Sequence, residues 1–170
     1  AQLDLARSKG HSVHIVGHII PFSSKWEQHY VDTFRGIVMN FTDVIRVQWF
    51  AHTHMFNFYT LSEHKAPMAF DVPAISPIDG QRPSYLRVST STYNSNETWS
   101  VDEIHLRYLS STDNTWTDGY QFANQFKIPK PLTTNKLYEF GKKMLGEHDT
   151  GSVWTDFETM HFGGEVDGNH

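Results

Sequence analysis

A chain of 170 residues with 38% hydrophobic and 14% aromatic content has enough apolar surface to bury a core within one domain. Twelve Phe, seven Tyr and five Trp exclude a disordered chain, because burying that surface offsets the entropy lost on folding. A formal charge of −5 and a pI near 6.1 argue against a nucleic-acid backbone as partner, since no basic stripe is available to displace counterions.

Ala1 to Lys9 carries Leu3, Leu5 and Ala6 as apolar positions ahead of Gly10, which predicts the tail of a helix and a chain cut from something longer. Val13 to Gly17 is a short β-branched run, predicted as a buried strand that delivers His18 to a loop ending at Pro21. Ser24 and Glu27 have the spacing of a capping box. Trp26, Tyr30, Phe34 and Ile37 follow at helical intervals, predicting a helix to Asn40 with those side chains on its buried face. Arg46 to Phe50 alternates as a second strand and hands over to Ala51-His52-Thr53-His54.

Phe56–Leu61, Met68–Val72, Tyr85–Thr92 and Ile104–Leu109 are predicted strands, and the short spacing between them, broken by turns such as Pro77-Ile78-Asp79-Gly80, predicts antiparallel pairing. Gly119 to Phe126 fits either strand or helix. Asn135 to Leu145 reads as a helix burying Leu137, Phe140, Met144 and Leu145. Beyond Lys143 there is no Lys or Arg while acidic residues accumulate, which predicts a solvated acidic tail over 146–170, its Trp154, Phe157 and Phe162 docking it to the remainder. The sum is an α/β chain with residues 1–145 as one domain or a large part of one.

The chemistry of the chain lies in its eleven histidines. With no cysteine, a metal site here has only imidazole and oxygen ligands to draw on. His14, His29, His64 and His105 read as hydrogen-bonded structural residues, and His11, His148, His161 and His170 as solvent-exposed. His52 and His54 differ: in extended chain residues two apart share a face, so both imidazoles reach one small volume. His18 arrives from a second strand end behind Gly17, whose missing side chain permits close backbone approach. Spacing alone leaves a metal site and a structural cluster both open.

These segments resemble those of the calcineurin-like metallophosphoesterases. Gly17-His18-Ile19-Ile20-Pro21 is similar to their Gly-His-x-Pro segment, and Ala51-His52-Thr53-His54 to their Gly-His-Thr-His segment. Ala66-Pro67-Met68-Ala69-Phe70, Pro73-Ala74-Ile75-Ser76-Pro77 and Arg82-Pro83-Ser84-Tyr85-Leu86-Arg87-Val88 resemble the acid sphingomyelinase and acid sphingomyelinase-like phosphodiesterase branch, a likeness that extends over about residues 1 to 145. The resemblance implies the C-terminal half of a metallophosphoesterase α/β sandwich, with mixed sheets flanked by helices. It also implies two divalent metals, in the manner of zinc, and hydrolysis of a sphingomyelin-like or nucleotide-like phosphodiester by a metal-activated water. Carried over by motif, His18 and His52 bind one metal and His54 the other.

The resemblance places the family's Asp-x-His, bridging Asp and Gly-Asn-His ahead of Ala1, in an upstream half of the same precursor, which thereby becomes the expected partner; the Gly168-Asn169-His170 tripeptide at the far end of this chain does not stand in that position. Ala51 stands where the family has Gly, and Phe56 and Asn57 where acidic residues are common. The alternative is a non-catalytic structural or interaction module derived from a phosphoesterase half, its strand edges serving association. The sequons at Asn40 and Asn96 predict glycosylation in a secreted or lysosomal, luminal setting, and no apolar run approaches the length of a transmembrane span.

Overall fold

The computed structural model describes residues 1–21, 25–60, 66–76, 81–93, 98–146 and 151–161. Helix α1 (Gln2–Ser8) stops at Gly10, whose φ of 66° is a left-handed conformation that a side chain disfavours. Strand β1 (Val13–Val16) leads through helix α2 (Gln28–Asn40) to β2 (Ile45–Phe50), and the two strands pair in parallel with Val16 opposite Trp49. Strand β4 (Met68–Asp71) lies parallel on the other side of β2, and the short β3 (Asn57–Tyr59) closes that side antiparallel to β4. The first sheet therefore has the order β1-β2-β4-β3.

The second sheet is an antiparallel meander of β5 (Ser84–Tyr93), β6 (Thr98–Leu109) and β7 (Trp116–Gln121). Three further helices follow: α3 (Phe122–Gln125), α4 (Thr134–Gly146) and α5 (Ser152–His161). One core joins both sheets to these helices. Val47, Phe56, Met68 and Phe70 from the first sheet and its loops meet Ile104 and Leu106 from the second, with Phe122, Leu137, Phe140, Phe157 and Met160 from the helices. The architecture is thus mixed α/β, two sheets flanked by helices, in agreement with the expected class.

Several local expectations change. β1 is an edge strand among the described residues, with Val16 78% exposed, so its apolar composition does not signify burial on both faces. Helix α2 begins on Glu27 without a side-chain cap, Ser24 lying outside the described residues. Its aromatic stripe divides: Phe34 is half-buried against Phe50, whereas Tyr30 and Ile37, with Trp26 just ahead of the helix, are exposed and Val38 is the buried position. Leu145 is exposed at 73%, because α4 turns Leu137, Phe140 and Met144 inward. Antiparallel pairing holds for β3 with β4 and through the second sheet, whereas β4 runs parallel to β2. The ambiguous aromatic segment divides, with β7 passing directly into α3. The acidic segment contributes α5, and Phe157 and Met160 on it are core residues. The predicted turn at Pro77–Gly80, together with His64, His148, His170, Asn96 and Phe162, lies outside the described residues. Among the described residues no helix is long and apolar enough to cross a membrane.

Candidate functional site

The carboxyl ends of β1, β2 and β4 stand side by side, and the ladder continues past the strands into the loops that carry the histidines. Gly17 N–H donates to Trp49 O at 2.9 Å, Ala51 N–H to His18 O at 2.8 Å and Val72 N–H to Phe50 O at 2.8 Å. Gly17 is required by contact, since a Cβ there would lie 2.7 Å from Phe50 Cε1. The close approach expected of this glycine is therefore made to an aromatic ring beneath the loop.

His18 and His52 meet. His18 Nε2 and His52 Nδ1 are 3.3 Å apart, with the rings edge-on at 76° and both side chains exposed. At zinc–nitrogen bonds of about 2.05 Å and tetrahedral angles, two ligand nitrogens stand about 3.3 Å apart. The pair thus has the separation of two ligands of one tetrahedral cation. His54 turns to Ser76, its Nδ1 2.7 Å from the Ser76 carbonyl oxygen. A carbonyl accepts only, so Nδ1 carries the proton and the Nε2 lone pair is left for a ligand, the arrangement that outer hydrogen bonds impose on metal-binding imidazoles. The residues present fit a metal as imidazole donors on two separate positions, and among the described residues no three His, Cys, Asp or Glu side chains converge on one.

The loop that aims these rings is held in an uncommon backbone form. His52 has φ 81° and His54 φ 62°, left-handed values that cost non-glycine residues about 1 kcal/mol or more each and persist only where surroundings enforce them. Two such residues flank Thr53. The alternating extended geometry expected for His-x-His is accordingly replaced by a tight turn, which sends His52 toward His18 and His54 toward Ser76.

Beneath the loop lies a group that sequence reasoning missed. Asp71, the last residue of β4, is fully buried and pairs in register with Phe50 at the end of β2. Its Oδ2 accepts the Tyr59 hydroxyl at 2.8 Å and the Thr53 hydroxyl at 3.2 Å, while Oδ1 has no hydrogen-bond partner among the described residues. Burial pushes the Asp71 carboxyl above its ordinary range against the opposing effect of these two bonds. Burial likewise raises the Tyr59 phenol, which stays protonated and donates. The signal was present in the sequence as a lone carboxylate closing an otherwise apolar strand, Met68-Ala69-Phe70-Asp71.

His161 corrects the expectation of an exposed side chain. It is half-buried at the end of α5, its Nδ1 2.6 Å from Phe56 O, and the Phe56 amide donates back to His161 O at 3.1 Å. The last described helix therefore clamps the residue two places after His54. His14 accepts the Trp49 indole N–H at 3.0 Å and His105 lies 3.2 Å from Ser89 Oγ, as structural histidines should. His29 differs from them: it sits on α2, exposed, 3.8 Å from the Glu27 carboxylate. Asn40 is exposed at the end of α2, where its backbone oxygen accepts from Arg7.

Fold and site together define a mixed α/β chain that gathers histidines on loops beyond the carboxyl ends of parallel strands, where ligands of open α/β sheets bind. No protein-family model matches the chain. Among curated proteins it is similar to the sphingomyelinase phosphodiesterase D of Dictyostelium discoideum, 24% identical over 180 aligned residues that take in 95% of this chain and 40% of that protein. The chain thus spans about two-fifths of the length of this relative.

Proposed function

We propose that this chain is the C-terminal portion of a binuclear-metal phosphodiesterase, in which His18 and His52 bind one divalent metal and His54 a second. The observation that carries the reading is the 3.3 Å separation of His18 Nε2 and His52 Nδ1, the spacing of two ligands on one cation. The similarity to a protein named as a phosphodiesterase over 95% of the chain supports the reaction class. A bound metal pair, in the manner of zinc, would supply an acidified water and positive charge facing a phosphoryl group. The chain's own part is to present three imidazole lone pairs and to fix their tautomers, His54 through Ser76. The remaining ligands and the carboxylate that separates two cations come, on this reading, from another segment of the same precursor. The substrate is a phosphodiester of the sphingomyelin or nucleotide kind, and the setting is secreted or lysosomal, with glycans on Asn40 and Asn96.

The test uses the full precursor. Elemental analysis is expected to find close to two divalent metals per molecule, and chelation is expected to abolish turnover of bis(p-nitrophenyl) phosphate, restored by zinc. His52→Ala is expected to lower that turnover at least 100-fold and to reduce the metal content. A metal-free, inactive precursor would leave the second reading, a non-catalytic interaction module. That alternative draws on the edge of β1, unpaired among the described residues, and on the exposed Trp26, Tyr30 and Ile37.

A further inference from the structure

We infer that Asp71 is a positioning residue of the histidine loop: acting through the Thr53 hydroxyl, its carboxylate holds His52 against His18 and His54 against Ser76. The inference rests on the metal reading for its functional consequence, but its structural half stands without it. Thr53 is the midpoint of the loop, and the residues on either side of it are in left-handed conformations that an unrestrained chain would leave. Two bonds at that midpoint oppose the escape. The Thr53 hydroxyl donates to Asp71 Oδ2 at 3.2 Å, and its lone pair accepts the Met55 amide at 3.4 Å, so a single hydroxyl ties the turn both to β4 below it and to the chain leaving it.

Asp71 is itself immobilised. It is fully buried in the ladder between Phe50 of β2 and Asn57 of β3, and the Tyr59 hydroxyl fixes the same carboxylate oxygen from the antiparallel strand that follows the loop. The residue at the anchor must accept from two donors at once, and Tyr59 and Thr53 both point a proton at it. Both bonds end on the same oxygen, Oδ2, so loss of that one acceptor breaks both at once, and the negative charge of a carboxylate strengthens each. A buried carboxylate behind a hydroxyl that orients two imidazoles is the kind of outer support on which ligand geometry depends. None of these groups needs to touch the metal, since the effect is transmitted through backbone angles.

The test compares Thr53→Val, which keeps the shape of the side chain and removes only the hydroxyl, with Thr53→Ser, which restores the hydroxyl. Tyr59→Phe and Asp71→Leu, which removes the acceptor, are made alongside in the full precursor and probe the anchor itself. Zinc affinity by competition with a chelating dye reads the function, and crystal structures read the loop. Thr53→Val and Asp71→Leu are expected to weaken zinc binding about 10- to 100-fold. Thr53→Ser is expected to hold it within about threefold, and Tyr59→Phe to fall between, with folding intact by circular dichroism. In the Thr53→Val crystal, His52 and His54 are expected to leave positive φ and the contact between His18 and His52 to open. Wild-type zinc affinity in Thr53→Val, or a loop unchanged in its crystal, overturns the inference. If the wild-type precursor binds no zinc, the metal reading fails separately, and the Thr53→Val loop alone decides this inference: displaced supports it, unmoved overturns it. Should Thr53→Val not fold, Asp71→Leu is read by the same two measurements with the same outcomes.

Discussion

At the scale of single residues, the site depends on contacts that the identity of a residue does not disclose. Gly17 is a spacer because Phe50 lies under it. Gly17→Ala would place a methyl 2.7 Å from the ring, and since Phe50 is itself buried beside Ile20 and Ala69, we expect a loss of about 1–3 kcal/mol by urea unfolding. His161 carries a pH dependence. Burial, the largest influence, lowers its pKa below the usual 6.5, with Glu158, Asp71 and the Phe56 carbonyl acting the other way. The unfolded chain therefore takes up its proton first as pH falls, so the contribution of this residue is complete above about 6.5 and is lost as the pH drops through the folded pKa. His161→Asn keeps a donor for Phe56 O and removes the titration. We expect the unfolding free energy of the wild type to fall more between pH 7.5 and 5.5 than that of the variant. His14, also lowered by burial, contributes with the same sign to both proteins and cancels in the comparison.

At the scale of elements, short pieces are secured by buried charge. Helix α3 has only four residues, too few to be stable alone, and Glu103 of β6 secures its start. The carboxylate is 2% exposed and accepts the Ala123 amide at 2.5 Å and the Asn124 amide at 3.1 Å, with Lys130 3.5 Å away. Glu103→Ala leaves the buried Ala123 amide without its acceptor. We expect a loss of about 1–3 kcal/mol in chemical denaturation, with hydrogen exchange accelerated first over 122–126. Several elements were legible because their pattern is local: β1, β2, β5 and α4 fall within a residue of their predicted spans, and α2 ends at Asn40 as expected but has its N-cap at Glu27, three residues beyond the predicted cap. Which face each buries was less legible. Of the stripe of Trp26, Tyr30, Phe34 and Ile37, Phe34 packs against Phe50 and the other three are exposed, because periodicity reports that a face exists and not what covers it.

At the scale of the whole molecule, α5 joins the acidic C-terminal segment to the rest. Phe157 packs against Phe56, Phe58, Phe126 and Phe140, with ring centroids 5.6–6.4 Å away. Phe157→Ala is expected to cost about 3–5 kcal/mol in calorimetry and, through the pairing of His161 with Phe56, to loosen the segment just after His54. The sequence by itself determined the α/β class, the order of most elements and the three histidines at the ends of strands, because alternation and helical spacing are local properties of a chain. It did not determine that His52 turns back onto His18 while His54 turns away to Ser76. Left-handed angles at two non-glycine residues are adopted only when something distant enforces them. Here the enforcing group is Asp71, 18 residues from Thr53 along the chain and one hydrogen bond from it in space. Its role exists only once β2 and β4 lie side by side, which is why the tertiary structure alone decided it.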